Sequence, residues 1–290
     1  MSVVRKMKNF ALSYIPGVSV LRDLRRALND YSAIKIRLEE ASLDLKKVDD
    51  LLVGAGVNNS KLYRDVISKK FDLKSSFIKY SKSQLDQDLF VAYAFQGKRG
   101  GFFVEFGATN GVELSNTFML ESQFNWQGIL AEPGKSWHEG LFKNRSCKID
   151  TKCVYNVSGQ AIVFADSVEP ELSTITDFVN CDAHAGVRKN SNNYEVQTIT
   201  LNDLLESHDA PKVIDYLSID TEGSELAILS SFDFSNYDIN IITVEHNYTE
   251  NREKIHELLV AKGYFRVFEE YSQFDDWYVL EKSLGKDVFL

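Results

Sequence analysis

From Leu21 onward apolar side chains fall at Leu24, Leu28, Tyr31, Ile34, Leu38, Ala41, Leu45, Val48 and Leu52, in steps of three and four residues with one slip between Tyr31 and Ile34. This is the seam of a heptad-patterned helix. Arg37, Glu39, Glu40, Asp44, Lys46 and Lys47 beside it supply the charged, wet side of such a helix. A single helix packed on its own domain is one reading. The seam is narrow and lasts more than three heptads, which favours a coiled-coil-like arm that joins copies of the chain into a homo-oligomer. Gly54, Gly56, Asn58, Asn59 and Ser60 then break the helix. Two shorter helical stretches follow, from Lys61 to Leu73 and from Ser83 to Phe95.

At Gly101 the pattern changes to apolar runs separated by helix-length segments, which predicts an α/β fold with a mostly parallel sheet. Strands are expected at Phe102 to Phe106, Gly128 to Ala131, Lys148 to Val154, Val213 to Ile219 and Ile239 to Glu245, with a short extra one at Ala161 to Phe164. Tyr264 to Glu269 and Trp277 to Leu280 lie too close together for a parallel crossover, so they must pair antiparallel and close the sheet with a C-terminal hairpin. The expected organisation is a basic start and helical arm over 1–55, a linker with a short helix over 56–75, and a Rossmann-like domain over 76–290.

Composition narrows the partners. With 290 residues and 44% hydrophobic side chains the chain can bury a full core. Its formal net charge of -9 disfavours nucleic acid, because neutralising phosphates needs clustered Lys and Arg. Cys147, Cys153 and Cys181 are odd in number and lack the paired spacings of a zinc site or a disulfide framework, which suits a reducing, cytoplasmic compartment. The apolar run from Phe10 to Leu21 is interrupted by Pro16, has no small-residue cleavage site after it and is too short to span a bilayer. Arg5, Lys6, Lys8, Arg22, Arg25 and Arg26 against Asp23 and Asp30 give a net charge near +4 over thirty residues. That supports at most a weak, salt-sensitive contact with an anionic membrane surface.

Candidate chemistry sits at the expected strand ends. The first strand runs into Gly107, Ala108, Thr109, Asn110 and Gly111, and glycines there let the backbone approach a nucleotide. A dinucleotide site would want a third glycine and a helix N-terminus free for pyrophosphate. Here Glu105 instead places a carboxylate beside the ligand, which would repel pyrophosphate and favour a cation. S-adenosylmethionine, with its sulfonium and ammonium, fits that sign. Glu132, about twenty residues further on at the end of the second strand, suits the two ribose hydroxyls. The fourth strand ends in Asp220, Thr221, Glu222, Gly223, Ser224 and Glu225, and the fifth in Glu245, His246 and Asn247. Ligands of open α/β sheets bind outside these carboxyl ends, so both groups should face one cleft.

These residues resemble the FkbM family of methyltransferases. The matching pieces are Ser83, Gln84, Gln87 and Asp88, then Val104 to Gly111, Leu114 to Thr117, Ala131 to Pro133, Leu172 to Ile175, Thr198 to Leu205, Asp215 to Glu225, Glu245 to Asn247 and Asp275 to Tyr278. The run from Ile214 to Glu225 is the most specific. The resemblance implies a Rossmann-like class I methyltransferase fold and O-methylation of a sugar or other polyol hydroxyl, as in polysaccharide or secondary-metabolite assembly. It implies cofactor contacts from Glu105, Gly107, Ala108, Asn110, Gly111, Asn116, Glu132, Asn156 and Asp220. After the third strand the chain has Tyr155 and Asn156, where many members place a small residue and then Asp.

For the chemistry, a sugar hydroxyl needs a base, and the expected catalytic residues are His246 first, with Asp220 and Glu222 from the acidic cluster. The alternative is Mg²⁺ held by Asp220, Glu245 and Asn247. Two other functions share the pattern: a nicotinamide-dependent oxidoreductase of a sugar nucleotide, and a non-catalytic coiled-coil scaffold carrying a cofactor-binding domain.

Overall fold

The computed structural model describes residues 75–181 and 183–284, so the predicted arm, the linker and the helix from Lys61 to Leu73 lie outside the described residues. Seven strands form the main sheet: β1 (Phe102–Phe106), β2 (Gln127–Ala131), β3 (Lys148–Asp150), β8 (Val213–Ile219), β9 (Asp238–Glu245), β10 (Tyr264–Val267) and β11 (Asp275–Leu280), in spatial order β10-β11-β9-β8-β1-β2-β3. All pairs from β9 to β3 are parallel, while β11 runs antiparallel between β9 and β10. This is the parallel sheet with a terminal antiparallel hairpin that the sequence pattern predicts. The turn of that hairpin contains a short helix, Glu269–Ser272.

Side chains alternate along each strand, so one strand feeds two cores. Val104, Phe106, Leu217, Ile219, Ile242 and Val244 face one layer, against the helices α4 (Leu201–Ser207), α5 (Glu225–Ser231) and α6 (Asn251–Ala261). Phe103, Tyr216, Ile241 and Trp277 face the other, against α1 (Gln87–Ala94) and α2 (Phe118–Phe124). Phe90 stacks on Trp277 with ring centroids 4.8 Å apart. A sheet buried on both faces explains why its strands read as nearly unbroken apolar runs. Another helix, α3 (Lys135–Asn144), follows β2.

The sequence reading needs correction in two places. First, the helix expected from Ser83 begins only at Gln87, because Asp86 takes the left-handed conformation (φ 62°) and the Gln87 side chain accepts from the Leu85 amide, ending any earlier turn. Second, the strand expected over Lys148 to Val154 is two strands. Asp150 accepts from the Lys152 amide, the chain bends, and β4 (Cys153–Val154) leaves the main sheet. It joins β7 (Asn192–Ile199), β5 (Ala161–Asp166) and β6 (Thr174–Ile175) in a separate sheet of order β4-β7-β5-β6. No helix among the described residues is long and apolar enough to cross a membrane.

Candidate functional site

Parallel strands deliver their carboxyl ends to one edge of the main sheet, and there a cavity of ≈350 Å³ opens. Such a volume is within the range of small-molecule sites. Its floor is the ends of β1, β2, β8 and β9; one wall is the second sheet, through Cys153, Val154, Phe164 and Ile175, with the 170–173 segment; Gln84 and Leu114 approach from above. The second sheet is fastened there: the Lys135 amide donates to the Tyr194 hydroxyl (2.7 Å), Ser136 donates to Asp166 (2.9 Å) and the Trp137 indole to the Pro170 carbonyl (3.4 Å).

The turn after β1 has to be glycine at its first position. Gly107 has φ +74°, and a Cβ there would stand 2.1 Å from the backbone oxygen of Asp220. The close approach of the β1 and β8 ends therefore depends on a missing side chain. Beyond it, Glu132 at the end of β2 receives the amides of Thr109 (3.1 Å) and Gly134 (2.8 Å). Burial pushes its carboxyl up to about 8, with the charges of Asp166 and Asp220 adding to the shift and the two amides opposing it. Glu105 also lines the cavity, but its oxygens accept from Ser115 (2.9 Å), the Asn116 amide (2.6 Å) and Thr117, with Arg145 at 3.8 Å. Burial raises its pKa, and Arg145 is the strongest opposing influence. Glu105 thereby ties the 115–117 segment to β1. The Asn116 amide group donates to Ser218 (2.9 Å), while its Oδ1 is buried, lines the cavity and has no hydrogen-bond partner.

On the other side Asp220, Glu222 and Glu245 each bring a carboxylate oxygen to within 4.8 Å of the others. Register explains the meeting: Ile219 pairs with Val244, so the next residues, Asp220 and Glu245, stand side by side. The antiparallel β11 adds Asp275, which pairs with Glu245 and accepts from Gln87 (2.7 Å). Burial raises Asp220, as do Glu225 and Glu105 through their charge; burial and then Asp220 raise Glu245. Asp275 is pushed up to about 8 by burial and by Asp220. Like charges this close cannot all ionise in a dry site. Glu222 is held by Arg188 (2.7 Å), and Thr174 donates to its carbonyl (2.9 Å).

The structure thus brings Glu105, Gly107, Asn116, Glu132, Asp220, Glu222, Glu245 and Asn247 to one cavity and leaves five predicted residues out of its lining. Ala108 is packed in the core, Asn110 accepts from the amides of Val112 and Glu113, and Gly111 lies against Arg145 at φ +80°, so all three shape the turn. Asn156 is exposed beyond β4. His246, the expected base, is the fifth: Glu245 and Asn247 line the cavity and His246, between them, does not. Its Nδ1 accepts from the Tyr248 amide (3.0 Å) and its Nε2 lies 3.7 Å from Asp276. Alternation at a strand end sends neighbours to opposite sides. Sequence reasoning missed Trp137, Phe164 and Phe274, and gave no role to Gln84, Leu172 to Ile175 or Asp275, although the resemblance included them.

The residues fit S-adenosylmethionine. An orphaned buried acceptor at Asn116, a strand turn open to close approach at Gly107 and a carboxylate at Glu132 are what its ammonium, nucleoside backbone and ribose hydroxyls require. No curated protein matches the chain. Among solved structures, the precorrin-6y C5,15-methyltransferase of Geobacter metallireducens is 12% identical over 66% of this chain and 85% of its own, with a TM-score of 0.35. A methyltransferase from Pyrococcus furiosus is 13% identical over 76% of this chain and 95% of its own, with a TM-score of 0.33. The family model of the methyltransferase FkbM domain matches residues 105–288, from the carboxylate at the end of β1 through the terminal hairpin. The match begins after Ser83 to Asp88, which therefore stand outside it, and it sets aside the oxidoreductase and scaffold readings. The chain belongs to the FkbM family and is an S-adenosylmethionine-dependent methyltransferase.

Proposed function

We propose that the enzyme methylates a hydroxyl of a sugar or related polyol, with Asp220 as the base. The observation that carries this reading is the pairing of Asp220 with Glu245 inside the cavity, beside the β1 turn where the cofactor binds. Glu132 receives the ribose hydroxyls, Asn116 Oδ1 the ammonium, and Gly107 lets the ligand lie close to the backbone. S-adenosylmethionine supplies a methyl group on a sulfonium, and in-line displacement forms the O–CH3 bond as the S–CH3 bond breaks, its electron pair staying on sulfur. The acceptor's proton passes to Asp220. A base with a raised pKa is well matched to this task near neutral pH, and placement of the hydroxyl contributes the rest. Glu245 keeps the pair short of full ionisation, and Arg188 holds Glu222 in place.

The meeting of Asp220 and Glu245 also favours a second reading, in which these two carboxylates and Asn247 would hold Mg²⁺ that lowers the hydroxyl's pKa. Transfer of a labelled methyl group to a panel of sugars, with and without chelator, separates the two. Turnover that survives chelation supports the base alone; loss restored by Mg²⁺ supports the metal. Methyl transfer to nitrogen or carbon acceptors but to no hydroxyl would overturn both. We further propose that the heptad seam from Leu21 to Leu52 makes the protein a homo-oligomer. Light scattering on the full chain and on a variant lacking residues 1–55 should give an oligomer and a monomer respectively.

A further inference from the structure

The charge of the cavity points to the kind of acceptor. Six carboxylates line it, from Glu105, Glu132, Glu171, Asp220, Glu222 and Glu245, and no Lys, Arg or His does so among the described residues. Two of the six have a cation of their own, Glu105 through Arg145 and Glu222 through Arg188. Glu132 is held by backbone amides. Asp220 and Glu245 have no Lys or Arg ion-paired to either among the described residues, although they stand within 4.8 Å of Glu222 as well as of each other. The one buried side-chain atom of the lining without a hydrogen-bond partner, Asn116 Oδ1, is taken by the cofactor's ammonium in the reading above, which leaves Asp220 and Glu245 for the acceptor. The cavity offers its ligands acceptors and negative charge.

The cofactor carries a sulfonium, an ammonium and a carboxylate, so it brings a net charge of about +1, less than the unpaired carboxylates present. After it binds, Asp220 and Glu245, short of full ionisation as a pair, still present acceptor oxygens and their remaining negative charge to the acceptor. A phosphate or carboxylate on the acceptor would meet Asp220 and Glu245 with the same sign in a low-dielectric site. A protonated amine would supply the counter-charge they lack and donate up to three hydrogen bonds. We propose that the acceptor carries a protonated amine close to the hydroxyl that is methylated, and no phosphate or carboxylate: an amino sugar or amine-bearing polyol, and not a nucleotide-linked or phosphorylated sugar. This rests on the reading of the site as an O-methyltransferase.

The same cation chemistry could be met by a divalent metal, and the test distinguishes the two sources. The full chain is first titrated with S-adenosylhomocysteine by calorimetry; absence of binding would bring down the cofactor site itself, before the acceptor question arises. The saturated protein is then titrated with glucosamine, glucose, glucose 6-phosphate and MgCl2, each alone. Glucosamine should bind about tenfold or more tighter than glucose, as expected for hydrogen bonds to charged groups, and glucose 6-phosphate should bind more weakly than either. Glu245→Gln, checked by thermal melting to be folded, should reduce the ratio of glucosamine to glucose affinity. If that variant does not fold, the ranking of the three sugars on the unaltered protein decides. Glucosamine binding no tighter than glucose, a preference for the phosphate, or a requirement for Mg²⁺ before any sugar binds would each overturn the proposal.

Discussion

At the β1–β2 end of the cavity the chain itself satisfies its carboxylates. Glu105 takes three donors and has Arg145 3.8 Å away, and Glu132 takes two backbone amides. At the β8–β9 end Asp220 and Glu245 face each other without such a cation among the described residues, and their pKa values rise, Asp220 through burial and the charges of Glu225 and Glu105, Glu245 through burial and the charge of Asp220. The first arrangement holds a fixed geometry for a ligand whose shape does not change. The second stores electrostatic tension that a proton or an arriving cation relieves. Carboxyls at both ends stand above their ordinary range, Glu132 at about 8 among them, so the ends differ in their partners: fixed donors suit positioning, and carboxylates left to each other suit chemistry. On the function proposed above, the first end binds and the second reacts.

The sharpest way to break that division is to remove the base without removing the cofactor. Asp220→Asn should lower turnover by about 10² to 10⁴-fold while S-adenosylhomocysteine affinity changes little. His246→Ala is the counterpart. With its ring outside the cavity lining, beside Asp276, it should lower the melting temperature and leave turnover of the folded fraction nearly intact. Single-turnover kinetics on both variants checks this; normal turnover in Asp220→Asn with loss in His246→Ala would reverse the assignment. Next in size is Gly107→Ala. A Cβ 2.1 Å from the Asp220 carbonyl must drive β1 and β8 apart, at a loss of roughly 3–5 kcal/mol. Urea unfolding should show that loss, and cofactor binding should fall with it, because the two ends of the cavity meet at this contact. Glu132→Ala should act on binding alone, weakening S-adenosylmethionine and S-adenosylhomocysteine alike by at least about tenfold, the value of charged hydrogen bonds to the ribose. Unequal effects on the two would mean that Glu132 senses the sulfonium instead.

How much of this could be read from the sequence follows the same boundary. β1, β2, β8 and β9 were legible because a strand buried on both faces is an apolar run, and because each run stops at a charged or glycine residue where the cavity begins. Of the second sheet only β5 was, as the short extra strand expected at Ala161 to Phe164, while β4 was merged into the strand expected over Lys148 to Val154. β4 and β6 are two residues each, and β7 begins with Asn192 and Asn193, so neither length nor hydrophobicity marks them. Only the alternation of Tyr194, Val196 and Thr198 carried a period-2 signal, and the bend at Asp150 that separates β4 from β3 is a side-chain hydrogen bond that no apolar pattern records. Most of the wall of the cavity was therefore missed while its floor was found. His246 shows a different failure. Its chemistry was suitable and its strand end correctly placed, but the parity rule that puts Glu245 and Asn247 in the cavity puts the residue between them outside it.

The smallest expected effect, and the one that tests the electrostatic half of the contrast directly, is the pH dependence of binding and stability. Glu132 and Asp275 titrate at about 8 and Asp88 at about 6 in the folded protein, all above the ordinary carboxylate range, chiefly because burial penalises the charge. A carboxyl with a higher pKa folded than unfolded holds its proton more tightly in the native state. It stabilises the fold fully below the unfolded value, and that stabilisation is lost as pH rises through the folded value. The cofactor-free protein should therefore lose stability steadily from about pH 5 to pH 8. A cation in the cavity favours the ionised carboxylates and should flatten that decline. S-adenosylmethionine carries the sulfonium and S-adenosylhomocysteine does not, so the preference for the former should grow by about three- to tenfold over the same interval, the equivalent of up to one pKa unit of proton linkage. Calorimetric titrations of both ligands at pH 5.5 and 8, with melting curves on the free protein, measure the two halves separately. A preference that stays flat with pH would mean that the carboxylates titrate independently of the ligand's charge, and the reactive end would then be no more strained than the binding end.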